Sequence, residues 1–108
     1  DITMTKDDAL ELIERMPYIP AFVISNERNR LSALRAAQKS DDPVEWIKVV
    51  KTIYICRNDP KTGRRPSDAE AAMEQQAKLQ LQNLLVPALG LDPEQLDSFI
   101  ESHLANMW

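Results

Sequence analysis

The chain has 108 residues, enough for one domain and not comfortably for two. With 44% hydrophobic and 28% charged residues it falls in the range of a globular domain, and no apolar run approaches the ~18 residues of a membrane span. A net charge of −4 argues against a nonspecific nucleic-acid binder, and a single cysteine excludes an internal disulfide, so we expect a reducing, cytoplasmic setting.

The net charge hides a gradient along the chain. Residues 1–40 hold six basic and six acidic side chains, and residues 41–66 hold six basic and four acidic ones. Residues 67–108 hold one basic and seven acidic side chains. An anionic partner would therefore meet the first two segments.

A first helix is predicted to begin at Thr5, whose hydroxyl can cap it, and to end at Pro17. Residues 1–4 are interpreted as a linker remnant, so that one helical domain spans residues 5–108. Between the prolines at 17 and 20 the chain should be extended. Residues 21–24 are apolar and are expected to form either a buried connector or the lead-in to the next helix.

A second helix is predicted from about Ser25 to Lys39, with Leu31 and Leu34 as core contacts. Arg28, Arg35 and Lys39 follow one another at i, i+7 and i+11, within about 40° on the helical wheel. This basic stripe is typical of a solvated helix face. The alternative interpretation is that the stripe binds phosphate groups. Arg64 and Arg65, in a later loop, could extend such a binding edge.

The central helix is predicted over residues 42–57, with Asp42 as its cap and Pro43 in its first turn. Its apolar side chains spread over roughly half the circumference, which requires more than one packing neighbour. Lys48 and Lys51, with Thr52, are expected on the remaining polar strip, and both lysines join the candidate phosphate contacts. We therefore predict an all-α bundle of about five helices around this helix.

The remaining elements follow from local signals. Residues 58–66, with two prolines and a glycine, are predicted to form a loop. Ser67 and Glu70 form a capping box at the start of a long helix, in which Pro87 should cause a kink or an end. Gly90 allows a left-handed stop, and residues 92–95 begin a last helix.

Few residues carry catalytic or metal-binding chemistry. His103 lies on an apolar stripe and is interpreted as a core-edge histidine, and Cys56 as a small buried hydrophobe. No Cys and His spacing suits zinc, and no glycine-rich loop could cradle a phosphate. Neighbouring carboxylates sit at helix starts, where capping explains them. We therefore expect no enzyme activity, metal, cofactor or small-molecule substrate, and no membrane partner.

Several motifs resemble a known family in their order and spacing. They are a basic helix with Arg28, the turn at 39–41, the helical run at 47–54, and Gly63 followed by the capping box. Together they resemble the C-terminal helical domain of the CarD/CdnL family of bacterial RNA polymerase-binding transcription regulators. Residues 9–20 and 89–94 are similar to a clostridium-like branch of that family, and the resemblance covers about 90 residues.

The resemblance implies a parent protein whose N-terminal domain, absent here, binds RNA polymerase. It also implies that the helical domain contacts promoter DNA near the upstream edge of the transcription bubble and stabilises the open complex. Asn26 stands where better-known members carry a tryptophan that wedges into the minor groove, and Leu31 where they carry a basic residue. Both departures remove contacts and predict weak DNA binding. Arg28 is the position carried over from the family.

Two hypotheses result from the sequence. In the first, the domain contacts promoter DNA through Arg28, Arg35, Lys39, Lys48, Lys51, Arg64 and Arg65. In the second, it is a helical interaction or spacer domain without DNA contact, which docks onto a protein through residues 18–24 or Ile55. The positions of these cations in the structure distinguish the two hypotheses, since only the first hypothesis requires the cations to lie on one surface.

Overall fold

The computed structural model describes residues 3–24, 26–58 and 66–105, without the side chains of residues 58, 100, 101 and 103–105. Its elements are α1 (Lys6–Arg15), a 3₁₀ turn (Met16–Tyr18), α2 (Glu27–Lys39), α3 (Pro43–Asn58), α4 (Asp68–Leu89) and α5 (Pro93–Ala105). The predicted all-α bundle of five helices is therefore confirmed. The predicted loop lies mainly outside the described residues, and the side chain of His103 is also not described.

Local capping signals determine where the helices begin. The predicted caps are confirmed: Thr5 accepts from the Asp8 N–H at 3.1 Å, and Asp42 accepts from the Val44 N–H at 2.9 Å. α2 begins close to Ser25, as predicted, and its cap is Asn26, whose side chain accepts from the Asn29 N–H at 3.0 Å.

The capping box at the start of α4 is present in both directions. Ser67 accepts from the Glu70 N–H, Glu70 accepts from the Ser67 N–H, and both distances are 3.2 Å. At the other end the helix continues through Pro87 to Leu89 and stops at Gly90, which adopts φ 69°. Gly90 thus makes the left-handed stop that was predicted, since only glycine adopts this conformation without strain.

The core lies chiefly between α3 and α4. Five apolar side chains of α3 are buried, as its broad apolar face predicted: Trp46, Ile47, Val49, Val50 and Ile53. Five apolar side chains of α4 are buried as well: Met73, Ala77, Leu81, Leu84 and Leu85. α4 also packs against α1, α2 and α5, while α2 packs against α3. The central position expected of α3 is therefore shared with α4.

The predicted polar strip of α3 is wrong at two positions, since Lys51 and Thr52 are buried. Lys51 is only 4% exposed, and its ammonium donates to the carbonyl oxygens of Met16, Pro17 and Ile19. These carbonyls belong to the turn after α1. Lys51 therefore acts as an internal clamp that fixes the end of α1 against α3.

The segment from Ile19 to Ile24 is an irregular lead-in to α2 and not the buried connector that was the other expectation. Ile19 is buried, but Val23 is 98% exposed. The Phe22 N–H donates to the Thr52 hydroxyl at 2.9 Å, and this hydroxyl donates to the Lys48 carbonyl at 2.6 Å. The Thr52 side chain of α3 thus anchors this irregular segment to the bundle.

Candidate nucleic-acid interface on the second helix

The outward face of α2 carries three cations in a line, Arg28, Arg35 and Lys39, which we call the α2 stripe. All three side chains are exposed. Leu34 and Ala37 are buried on the opposite side of the helix. From Arg28 to Lys39 the rise is about 16 Å, since each residue advances an α-helix by 1.5 Å. The structure thus places three of the seven cations named in the first hypothesis on one helix face.

In the part of the chain that the structure describes, the α2 stripe has no carboxylate in direct contact. Within residues 3–24, 26–58 and 66–105, none of the three side chains forms an ion pair. Beyond its C-terminal end the surface changes sign, because Asp41 and Asp42 are exposed and Asp42 caps α3. The basic surface formed by α2 therefore ends at Ser40.

Asn26 caps the first turn of α2 with its side-chain oxygen. Its side-chain oxygen accepts the Asn29 N–H, one of the amides that the first turn of a helix leaves without a partner. Asn26 is therefore the helix cap of α2. This use explains an asparagine at this position without any DNA contact.

Lys48 lies away from the α2 stripe and is partly neutralised. Its ammonium is 3.3 Å from a Glu45 carboxylate oxygen and 5.9 Å from the centre of the Phe22 ring. Phe22 and Glu45 line a shallow groove whose other wall consists of Ala33, Ala36 and Ala37 of α2. Lys48 thus lies across this groove from α2 and contributes at most a peripheral charge.

Lys51 does not belong to the candidate interface. Its ammonium is enclosed by three carbonyl oxygens, and burial lowers its pKa. A phosphate could reach it only if the turn after α1 opened. The prediction that Lys51 is an outward-facing contact is therefore wrong. The predicted contacts Arg64 and Arg65 lie outside the described residues.

Two arginines that the sequence interpretation did not single out are paired with buried carboxylates of α4. Arg30 Nε donates to Glu70 Oε2 at 2.9 Å, and Arg57 donates to both oxygens of Glu74 at 3.0 and 2.6 Å. Both glutamates are about 2% exposed. Arg30 could have been found from its spacing, since it lies at i−4 from buried Leu34. The first pair withdraws Arg30 from the outer surface, whereas Arg57 stays 45% exposed and is neutralised there by Glu74.

The pairing of Arg30 with Glu70 raises the pKa of the arginine and lowers the pKa of the glutamate. The hydrogen bond that Arg30 donates to Glu70 raises the pKa of Arg30 against the opposing effect of burial. Burial alone would raise the pKa of Glu70, but the bonds from Arg30 and Ser67 outweigh it and hold that pKa below its ordinary value. The pair is therefore ionised at neutral pH, and its role is structural.

The described part of the chain holds no group of three or more His, Cys, Asp and Glu side chains that could bind a metal ion. Cys56 is half-buried, so it is less enclosed than predicted. None of the helices described is both long and apolar enough to cross a membrane.

Comparisons with protein-family models, curated proteins and solved structures return no match. The interpretation of the α2 stripe as a candidate interface therefore depends on the geometry of the structure alone.

Proposed function

We propose that this chain is a helical domain of a transcription regulator that contacts promoter DNA weakly through the α2 stripe. The observation that supports this proposal is that some cations are paired within the fold whereas others are exposed on one helix face. Arg30 and Lys51 are bound internally and Arg57 is paired at the surface with buried Glu74, whereas Arg28, Arg35 and Lys39 are exposed and form no ion pair within the described residues. Cations in such a line can follow a phosphate backbone, which carries one charge per about 3.4 Å of rise on each strand.

The number of outward cations sets the strength of the contact. Three phosphate contacts give nonspecific affinities of roughly 10⁻⁴ M or weaker at physiological salt. Such a contact has little effect on its own, but a partner domain bound to RNA polymerase would hold the helical domain near DNA. Tethering of this kind gives effective concentrations in the millimolar range, about enough to occupy a site of this affinity. In this role the domain stabilises the open promoter complex.

The function can be tested by the lifetime of the open complex. The chain is joined to the polymerase-binding domain that the family resemblance implies and is added to purified bacterial RNA polymerase on promoter DNA. Arg28→Ala/Arg35→Ala/Lys39→Ala should shorten the lifetime, and the difference from the wild type should shrink at higher salt. Lys6→Ala/Arg15→Ala, which removes two exposed cations of α1, is the matched control and should leave the lifetime unchanged. An unchanged lifetime with the folded triple variant would sink the proposal.

A second candidate function is a protein-interaction domain, and one observation favours it. Tyr18 is 86% exposed and Val23 is 98% exposed, although both are apolar enough to prefer burial. The Lys51 ammonium donates to the Pro17 carbonyl and the Phe22 N–H donates to the Thr52 hydroxyl, and these bonds hold the backbone beside the two exposed side chains. Tyr18→Ser/Val23→Ser distinguishes the candidates in the same assay: a lifetime that responds to this variant and not to the triple variant favours protein docking.

A further inference from the structure

A groove lies beside the α2 stripe, between α2 and the start of α3. Its volume is about 410 Å³, within the range of sites that bind small molecules. We call it the Phe22 groove, and its lining residues are Phe22, Ala33, Ala36, Ala37, Ser40 and Glu45. The three alanines belong to α2, and their short side chains leave the space that the groove occupies.

The Phe22 groove and the α2 stripe are neighbours on the surface of α2. Counted around the helix at 100° per residue, Arg35 and Lys39 lie within about 20° of Arg28. Ser32 lies about 40° and Ala36 about 80° from Arg28, in the direction of the groove. Both of these small side chains are exposed. Along this part of α2, two short side chains therefore separate the cations from the groove.

The two walls of the Phe22 groove suit a nucleobase. Phe22 supplies an aromatic ring, on which a base of any kind can stack. Its backbone N–H donates to the Thr52 hydroxyl at 2.9 Å, which anchors this residue to α3. Glu45 supplies a carboxylate, and among the described residues one of its oxygens is paired, with the Lys48 ammonium at 3.3 Å. The other oxygen can accept from an exocyclic amino group, as carboxylates do from cytosine N4.

The charges around the Phe22 groove select the form of the nucleic acid. The α2 stripe flanks the groove on one side, and on the other the Lys48 ammonium lies 5.9 Å from the centre of the Phe22 ring. Phosphates that contact these cations leave their bases beside the groove. A base within a duplex is stacked and paired and cannot enter a side groove, whereas an unpaired base can. The occupant that matches the ring and the charges together is an unpaired base.

We propose that the Phe22 groove binds one unpaired base, with an exocyclic amino group, of a DNA strand whose phosphates the α2 stripe contacts. This inference rests on the proposed DNA contact of the α2 stripe and names the form of DNA that the domain prefers. An open promoter exposes unpaired bases that the closed duplex lacks. Because a ligand shifts an equilibrium towards the state that it binds better, the groove directs the contact of the stripe to the open complex.

Binding of the full chain is measured by fluorescence anisotropy at low salt, with a labelled single strand of about 15 nucleotides and with the duplex of the same length. Phe22→Leu keeps an apolar side chain but removes the ring. Its affinity for the single strand should fall at least about fivefold, and its affinity for the duplex less than about twofold. Phe22→Tyr retains the ring and is the matched control, with both affinities within about twofold of the wild type. Circular dichroism checks that both variants fold.

The base preference is measured with strands that contain only cytosine or only thymine. Thymine has no exocyclic amino group, so the wild type should bind the cytosine strand at least about threefold more tightly. Glu45→Ala should bring this ratio close to one. Lys48→Ala removes the partner of Glu45 but not its carboxylate, and it is the control that should keep the preference.

Two results overturn the inference and leave the proposed function standing. They are a single-strand affinity that Phe22→Leu leaves unchanged, and an equal loss of affinity for both probes. Equal binding of the cytosine and thymine strands overturns the contact assigned to Glu45. If Arg28→Ala/Arg35→Ala/Lys39→Ala changes the affinity for neither probe, the proposed function is wrong, and the inference is wrong with it.

Discussion

Arg30 of α2 reaches Glu70 of α4 with two hydrogen bonds, Nε to Oε2 at 2.9 Å and Nη2 to Oε1 at 3.3 Å. The same carboxylate accepts the Ser67 N–H that opens α4. One glutamate therefore both starts a helix and joins it to another helix 40 positions away in sequence. Because Arg30 faces inwards on α2, this pair also fixes the rotation that turns the α2 stripe outwards.

Replacement of Glu70 by glutamine should destabilise the fold strongly. It removes the counter-ion of a mostly buried guanidinium, and breaking such a pair costs about 3 kcal/mol. Glu74→Gln is the matched control, because its partner Arg57 is 45% exposed and can turn to water, so about 1 kcal/mol is expected. Urea denaturation followed by circular dichroism gives both values. Equal losses would contradict the structural role assigned to the Arg30–Glu70 pair.

Glu70 should also make the fold sensitive to acid. Its pKa in the folded chain lies below that of an unfolded glutamate, about 4.3. Its contribution is therefore complete above about pH 4.3 and is lost as the pH falls through the lower, folded value. The free energy of unfolding, measured from pH 6 down to about pH 3, should fall less steeply in Glu70→Gln than in the wild type. If the free energy of unfolding falls equally with pH in both proteins, Glu70 is not the main cause of the loss of stability in acid.

Helix starts and stops were predictable because their signals are local. Thr5, Asp42, the Ser67 box and Gly90 act within one turn of their own helices. The Arg30–Glu70 pair joins residues that only tertiary packing brings together, so the sequence showed a capping glutamate but not its second partner. The prediction that Lys51 faces outwards was wrong for a similar reason. A lysine is usually exposed, and only tertiary packing brings the three carbonyls of the turn after α1 to its ammonium. The α2 stripe was predictable, since helical spacing alone determines it.

Lys51→Met should destabilise the junction between α1 and α3. The methionine fills most of the space, but the carbonyls of Met16 and Ile19 lose their buried donor, which costs about 1–3 kcal/mol. Lys48→Met provides the control, since it removes only a partly exposed pair with Glu45 worth less than about 1 kcal/mol. Amide hydrogen exchange should show faster opening of α1 in Lys51→Met alone. If exchange in α1 is the same in both variants, Lys51 is not the clamp.

Asn26→Ala should separate the capping role of this residue from a role in DNA contact. Loss of the bond to the Asn29 N–H costs about 1 kcal/mol of stability, while Asn26→Ser retains a cap and most of that stability. Neither variant changes the charge of the α2 stripe, so DNA affinity at low salt should stay within about twofold of the wild type. A large loss of affinity in a folded Asn26→Ala protein would show a direct contact.

The most direct test of the α2 stripe is the salt dependence of DNA binding, measured by fluorescence anisotropy with a labelled duplex at low ionic strength. Three phosphate contacts predict a slope of log affinity against log salt of about −2.7, and each single alanine at Arg28, Arg35 or Lys39 should reduce its magnitude by about 0.9. Lys6→Ala/Arg15→Ala should leave the slope unchanged. If instead the slope is unaffected by the three α2 variants, or falls equally in the α1 control, then α2 is not the surface that meets DNA.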